Sequence, residues 1–290
     1  MRNMLLSLYR KGVKFISSHS LDWIGRFFVV RAINDFVLSN LKLNYADVQG
    51  HKMLVDPKAS MGQLISGVYE PLMTEHIKNE IRKGDVVLDL GANIGYYTLV
   101  FAKLVGEDGK VFAFEPDPDN FAMLKKNVEL NGYKNIFLIQ KAVSNKNGKA
   151  RLYLCEENKA DHRICNLNDG RKSIEIESVR LDDFFKKYDG KIAFIKMDIQ
   201  GAEGEALQGM QNLLKKNENV KIVAEFWPVG LKGFGVEPES FLGMLLKYGF
   251  TIYDMNEEKK KIRQITVAEL LGAYTQEKKN FTNLLCKRQK

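Results

Sequence analysis

Short apolar runs alternate with amphipathic stretches along most of the chain. Val86-Val87-Leu88-Asp89-Leu90 has the pattern of a buried strand. It passes through Gly91-Ala92-Asn93-Ile94-Gly95 into Tyr96-Tyr97-Thr98-Leu99-Val100-Phe101-Ala102, an amphipathic helix. Val111-Phe112-Ala113-Phe114 repeats the strand pattern and ends in Glu115-Pro116. Asp117-Pro118-Asp119 then caps a helix to about Leu130, which Asn131-Gly132 stops. Residues 136–143 make a third strand. A β-α-β-α-β order of this kind implies right-handed crossovers and a parallel sheet.

The flanking segments fit that frame. Residues 47–56 read as a hairpin turning at Gly50, and Pro71 sits in the first turn of a helix reaching Ile81. Residues 150–155 and 173–179 alternate like a surface hairpin around a polar loop, 156–172, that holds Asp161-His162-Arg163. Loops of that length are commonly functional. A short helix starts at Leu181. A fourth strand spans 192–198, a helix 202–216 and a fifth strand 220–226. Trp227 opens a Gly-rich loop to Glu237, and a helix follows over 238–248. Segments 250–255, 260–266 and 281–288 supply closing strands, and there is no internal repeat.

Composition narrows the class. With 290 residues and 45% hydrophobic content, the chain holds one large domain, or a domain plus an extension. No apolar run reaches the roughly 20 residues of a membrane span, and no signal-peptide pattern opens the chain. Cys155, Cys165 and Cys286 have no metal-ligand spacing and cannot all pair. Reduced thiols in a cytoplasmic protein, with no metal, are therefore expected. The net charge of +8 permits anionic partners without identifying one. Residues 1–43 carry seven Lys/Arg and two Asp among apolar residues. They read as a helical extension packed on the catalytic domain or on a second subunit, or else as an interfacial helix on anionic lipid.

The turn after the first strand is the chemical clue. A dinucleotide site wants G-x-G-x-x-G, its second Gly clearing room for pyrophosphate. Here the spacing is G-x-N-x-G, with Asn93 in that place and Asp89 just before the turn. A carboxylate there repels phosphate and attracts an ammonium group. Glu115, 20 residues beyond Gly95, ends the next strand, where an acidic side chain accepts bonds from ribose hydroxyls. A cofactor with an amino-acid end, a ribose and no phosphate fits: S-adenosylmethionine (SAM).

The fourth strand adds candidates. Phe194, Lys196 and Asp198 share one face by the two-residue period. Lys196 on a sheet covered on both sides needs a partner, and Asp198 is the nearest. Asp198 also ends its strand, where ligands gather in such sheets. Glu203 and Glu205 open the following helix, where carboxylates are favoured in any case.

Lys196-Met197-Asp198-Ile199-Gln200-Gly201-Ala202-Glu203, downstream of Val87-Leu88-Asp89-Leu90-Gly91-Ala92-Asn93-Ile94-Gly95-Tyr96-Tyr97-Thr98, resembles the FkbM-type SAM-dependent methyltransferases. The similarity runs from about Val68 to Phe250 and takes in Phe114-Glu115-Pro116 and Glu225-Phe226-Trp227-Pro228. It implies an α/β fold: a doubly wound, Rossmann-like class I methyltransferase sheet of seven strands, the last antiparallel. That domain would span residues 46–290 behind a helical extension, residues 1–45. The resemblance also implies O-methyl transfer, often to a sugar or polyketide hydroxyl. The family often has Glu where this chain has Gln200, so no base or metal ligand is expected at that position.

The expected cofactor set is Glu70, Asp89, Gly91, Asn93, Gly95, Tyr96, Glu115, Pro116, Ala142 and Asp198. Arg163, Glu203, Glu225 and Trp227 would meet the acceptor, a glycan or other small molecule. A sugar hydroxyl is a poor nucleophile near neutral pH, so a base is needed, and His162 and Asp198 both qualify. Lys196 completes the catalytic set. Three alternatives stay open: RNA methylation, although no RNA-binding module is recognisable; a nicotinamide oxidoreductase, which Asn93 disfavours; and a binding protein without catalysis. If the N-terminal helix meets lipid, the full chain will co-sediment with anionic vesicles and a chain lacking residues 1–43 will not. Equal behaviour of the two leaves the packed extension, on this domain or between two copies.

Overall fold

The computed structural model describes residues 45–54, 68–155, 161–165, 169–278 and 280–288; the basic segment 1–43 lies outside them. Two compact units are distinguished. The described part of the first is a hairpin, β1 (Tyr45–Val48) and β2 (His51–Leu54), with Tyr45 opposite Leu54. Its turn falls at Gln49 and Gly50, both with positive φ.

The second unit begins at Glu70 with α1 (Pro71–Glu80). Then come β3 (Val86–Leu90), α2 (Tyr96–Val105), β4 (Lys110–Phe114), α3 (Pro118–Asn131) and β5 (Ile136–Ile139). Next are β6 (Ala142–Val143), β7 (Gly148–Tyr153), β8 (Ser173–Val179), α4 (Leu181–Phe184) and β9 (Phe194–Met197). The chain continues through α5 (Glu203–Gly209), α6 (Gln211–Lys216), β10 (Lys221–Phe226), α7 (Pro228–Gly233) and α8 (Pro238–Lys247). It closes with β11 (Phe250–Asn256), β12 (Lys261–Gln264), α9 (Val267–Ala273) and β13 (Thr282–Arg288).

The main sheet has the order β12-β11-β13-β10-β9-β3-β4-β5. Strands β10, β9, β3, β4 and β5 pair in parallel, and β13 inserts antiparallel between β10 and β11. This is the expected doubly wound plan with one correction. The sheet has eight strands rather than seven, because β12 folds back on β11 as an extra edge.

The central strand β3 is buried at all five positions, as coverage on both faces requires. On one face Leu88, Ile195, Ile222 and Phe226 pack with Leu207, Leu214, Phe241 and Leu245 of the following helices. The other face carries Asp89 and Lys196 and lies against α2, where the Phe101 and Phe194 rings are 6.0 Å apart. Helix α3 starts where expected: Asp117 accepts from the Asn120 amide at 2.8 Å, a cap worth about 1 kcal/mol, and Gly132 at φ 71 ends it.

Four further expectations change. The strand expected over 136–143 is two strands; β6 leaves the main sheet and joins β8 and β7 in a separate three-stranded sheet. Gln140 and Lys141, the polar pair in the apolar run, are the break. The single helix over 202–216 divides at Met210 into α5 and α6. The Gly-rich loop after Trp227 contains α7, begun by Pro228 at its first position, where φ is already helical. Helix α9, absent from the sequence reading, starts at a capping box in which Thr266 and Glu269 bond each other's backbone.

Helix α1 is fastened to the sheet by Glu80. Its Oε2 lies 2.6 Å from Lys221 Nζ on β10, and Lys287 of β13 bonds Oε1. Burial alone would raise the Glu80 carboxyl, but the two lysine hydrogen bonds outweigh it and hold the group down at about 2. Its pKa is lower folded than unfolded, so its contribution is complete above the ordinary value near 4.5 and disappears as pH falls from there to about 2. Glu80→Gln should lower stability at neutral pH by roughly 1–2 kcal/mol, for two partly exposed pairs. Denaturant melts of the two proteins should converge as pH falls through that window.

Candidate functional site

The site is built on the carboxyl ends of β3, β4, β9 and β10. The turn after β3 crosses directly over the end of β9. A Cβ on Gly91, at φ 79, would stand 1.9 Å from the Asp198 carbonyl oxygen, so no other residue fits there. The Gly91 and Ala92 amides donate to the Phe114 carbonyl, and Asp198 N–H donates to Leu90 O. Asn93, also at positive φ, donates its backbone N–H to Glu115 Oε2 at 2.8 Å. Glu115 Oε1 accepts from Asp117 N at 2.9 Å. Glu115 therefore joins the β3 and β4 turns before any ligand arrives. Burial pushes its carboxyl up to about 7, although both backbone bonds pull the other way.

A second group of side chains surrounds Lys196. Its Nζ lies 3.5 Å from Asp198 Oδ2 and 3.7 Å from Asp89 Oδ1, donates to Gly91 O at 3.2 Å and stands 5.3 Å from the Tyr97 ring centre. Burial would lower its pKa, but Asp198, Asp89 and Glu70 more than reverse that. Thr98 donates to Asp89 Oδ2 at 2.6 Å, while Asp89 Oδ1 makes no hydrogen bond. Burial raises the Asp89 carboxyl.

The row continues across the sheet. Met197 pairs with Ala224, so Asp198 and Glu225 follow side by side, and Glu225 pairs with Asn283 on β13. Gln200 Nε2 donates to Asp198 Oδ1 at 2.9 Å and reaches Glu225 Oε2 at 3.4 Å. Asn283 donates to Glu70 Oε1 at 2.8 Å, and Tyr97 OH to Glu70 Oε2 at 2.9 Å. Burial, then the charge of Asp198, push the Glu70 carboxyl up to about 7. Burial, with Asp198 next, also raises Glu225 strongly.

Glu70, Asp89, Lys196, Asp198 and Glu225 thus form one linked group, with Glu115 tied to it through the turn. The remaining expected residues lie elsewhere. Glu203 is fully buried and folds back to accept from the Ile199 amide at 2.9 Å, which closes the loop after β9. Tyr96 OH meets Thr74 of α1 at 3.1 Å, and Gly95 is the N-cap of α2. Ala142 packs with Leu152 and Ile176 in the small sheet, and Pro116 follows Glu115, half-buried. The Trp227 ring lies on Gly230, where a Cβ would meet it at 2.2 Å.

His162 lies beside Asp117, two residues past Glu115, its Nε2 3.8 Å from Asp117 Oδ2. Its Nδ1 accepts the Cys155 amide proton at 2.9 Å. Arg163 is buried, ion-paired with Asp169 and 3.8 Å from Asp161. The sequence reading left Tyr97, Thr98 and Asn283 without roles. Tyr97 and Thr98 follow the Gly turn and were open to the same argument as Asp89. Asn283 carries no local signal, since it reaches Glu70 only through the placement of β13.

The donor set suits the cofactor proposed from the turn. Asp89 offers a carboxylate oxygen that, among the described residues, has the Lys196 ammonium at 3.7 Å and no closer donor, and Glu115 a buried carboxylate beside backbone amides, which match an ammonium group and ribose hydroxyls. Lys196 is occupied by two carboxylates and a carbonyl, which leaves it ill-suited to a pyrophosphate.

Comparison with known proteins identifies the family. A model described as the methyltransferase FkbM domain matches residues 89–252. Methyltransferase sdnD of Sordaria araneosa is 28% identical, over 57% of this chain and 76% of that protein. The 31-O-demethyl-FK506 methyltransferase FkbM of Streptomyces tacrolimicus is 30% identical; the match covers 46% of this chain and 62% of that protein, under two thirds of its length. Among solved structures, a Clostridium thermocellum chain described as a putative rRNA-methylase aligns with TM-score 0.47 at 17% identity, covering 81% of this chain and 99% of that one. Methyltransferase FkbM from Methylobacillus flagellatus aligns with TM-score 0.42 at 13% identity, covering 90% and 59%. With more than half its residues matched by the family model, this chain belongs to the FkbM methyltransferase family.

Proposed function

We propose that this chain is a SAM-dependent O-methyltransferase acting on a hydroxyl of a sugar, glycan or related small molecule. The observation that carries the reading is the linked carboxylate row at the strand ends, Asp89, Asp198 and Glu225 around one buried ammonium. The name of the Streptomyces relative, which denotes transfer to an oxygen, supports a hydroxyl acceptor. SAM supplies a methyl group on a positively charged sulfur. Glu115 and the Gly91–Gly95 turn would hold its ribose, with Asp89 toward its ammonium.

The chain's own residues then have separable tasks. Asp198, partly exposed beside the buried Lys196, takes the proton that the acceptor hydroxyl gives up. Glu225, on the adjacent strand, orients that hydroxyl. His162 suits the base role less well. Its Nδ1 lone pair is already used by the Cys155 amide, so in the neutral ring Nε2 bears the proton. Arg163 is committed to Asp169 and so serves the acceptor only indirectly.

Calorimetry should show binding of SAM and S-adenosylhomocysteine and none of NAD. Glu115→Ala should weaken SAM by roughly 2–4 kcal/mol, the loss of two charge-assisted bonds. A folded variant with unaltered affinity would move the ribose site elsewhere.

Asp198→Asn separates catalysis from structure. Lys196 keeps Asp89 and Gly91 O in that variant, so its charge stays paired and melting should change little. Single-turnover methylation of a methyl-glycoside panel with radiolabelled SAM should fall roughly 10²–10⁴-fold. Steep loss of melting temperature with near-normal rate would assign Asp198 to structure, and label reaching RNA alone would overturn the acceptor class.

A further inference from the structure

We propose that Gln200 is a positioning residue whose side-chain amide clamps Asp198 and Glu225 into one acceptor-facing pair; this rests on the roles given to those two carboxylates above. The two acids are neighbours on parallel strands, directly after the paired residues Met197 and Ala224. Asp198 so placed raises the Glu225 carboxyl, and a neutral donor between the two relieves that repulsion. Gln200 Nε2 is that donor, at 2.9 Å from Asp198 Oδ1 and 3.4 Å from Glu225 Oε2. A primary amide carries two N–H groups and no charge, so it can serve both acids at once without titrating.

The backbone is bent to put it there. Gln200 has φ 54, a left-handed conformation that is strained for a non-glycine residue. Gly201, at φ 97, presses on Gly230 so closely that a Cβ would lie 2.5 Å from its carbonyl carbon. This packing fixes the turn and aims the Gln200 side chain back at the strand ends. A glycine at position 200 would adopt the same φ without strain. This chain has a side chain where the backbone conformation favours none.

The charge balance around Lys196 in this chain favours an uncharged donor at position 200. Lys196 is already shared by Asp198 and Asp89. Glu70 ahead of α1 and Glu225 on β10 add acidic groups near the same ammonium, with the Tyr97 ring over it from α2, and the buried Glu203 on α5 acts on Asp198 and Glu225. A carboxylate at position 200 would face Asp198 and Glu225 at hydrogen-bonding range. It could rejoin them only when protonated, with one O–H in place of two N–H groups.

Gln200→Gly and Gln200→Glu test the clamp in the full chain. Gln200→Gly should melt close to the wild type and bind SAM as well. Its single-turnover rate on the best acceptor of the methyl-glycoside panel should fall about 10²-fold, the scale of a misplaced reacting pair. Gln200→Glu should lose rate above neutrality and recover part of it as pH is lowered. A role confined to the fold predicts no such acid recovery. A second readout does not need turnover. The Gln200 side-chain amide signals, assigned by their absence in Gln200→Gly, should shift in Asp198→Ala and in Glu225→Ala. Signals indifferent to both substitutions, or unchanged rates in both Gln200 variants, would overturn the clamp. If the wild type methylates no acceptor, the proposed activity falls, and the amide signals alone still decide the clamp.

Discussion

The buried Lys196 ammonium is the constraint on which the carboxyl edge of the sheet depends. Removing a charge of that size from water costs several kcal/mol even after relaxation. Here the cost is offset by Asp198, Asp89, the Gly91 carbonyl and the face of Tyr97. The converse matters more: without the ammonium, Asp89 and Asp198 would be two like charges on adjacent central strands. An apolar residue in its place would fill the space but leave Asp89 without its countercharge. Lys196 is best understood as the support that lets acidic chemistry exist inside a covered sheet.

The surroundings follow from that arrangement. Gly91 must be glycine because the β3 turn has to pass over the end of β9, which brings its carbonyl to Lys196. Glu115 binds the Asn93 and Asp117 amides, so its carboxylate is fixed by the backbone of both turns. Helix α1 enters with Glu70 and is tied down at its far end by Glu80 to two strands of the sheet. Carboxylates hold both ends of that helix in place, with opposite shifts in acidity: burial raises Glu70, and lysine bonds lower Glu80.

Much of this was legible in the residues. Strands β3, β4, β9 and β10 are mostly apolar because both faces are covered, and Asp89, Glu115, Lys196, Asp198 and Glu225 stand out as the charged residues that break or end them. The β5–β6 break was hidden because apolar residues flank Gln140 and Lys141 on both sides, and periodicity cannot say which sheet a strand joins. Helices α7 and α9 are short enough that a proline start and a capping box outweigh composition. His162 and Arg163 read as a candidate base and an acceptor-binding residue on a loop, yet His162 Nδ1 is taken by the Cys155 amide and the buried Arg163 is paired with Asp169. Gln200 could be seen only once the register of β9 against β10 set two acids side by side.

The position of β13 also has a consequence for synthesis. The strand made last among those described occupies an interior place, between β10 and β11, and supplies the Asn283 partner of Glu70. A nascent chain can form β3, β4 and β9 while still attached to the ribosome, but it exposes the flank of β10 until residues 282–288 emerge. Through that interval the open flank is a pairing template for other chains, as any bare strand edge is. A chain ending before residue 282 would carry the turn, the ammonium and the carboxylates, yet leave Glu70 without the Asn283 amide.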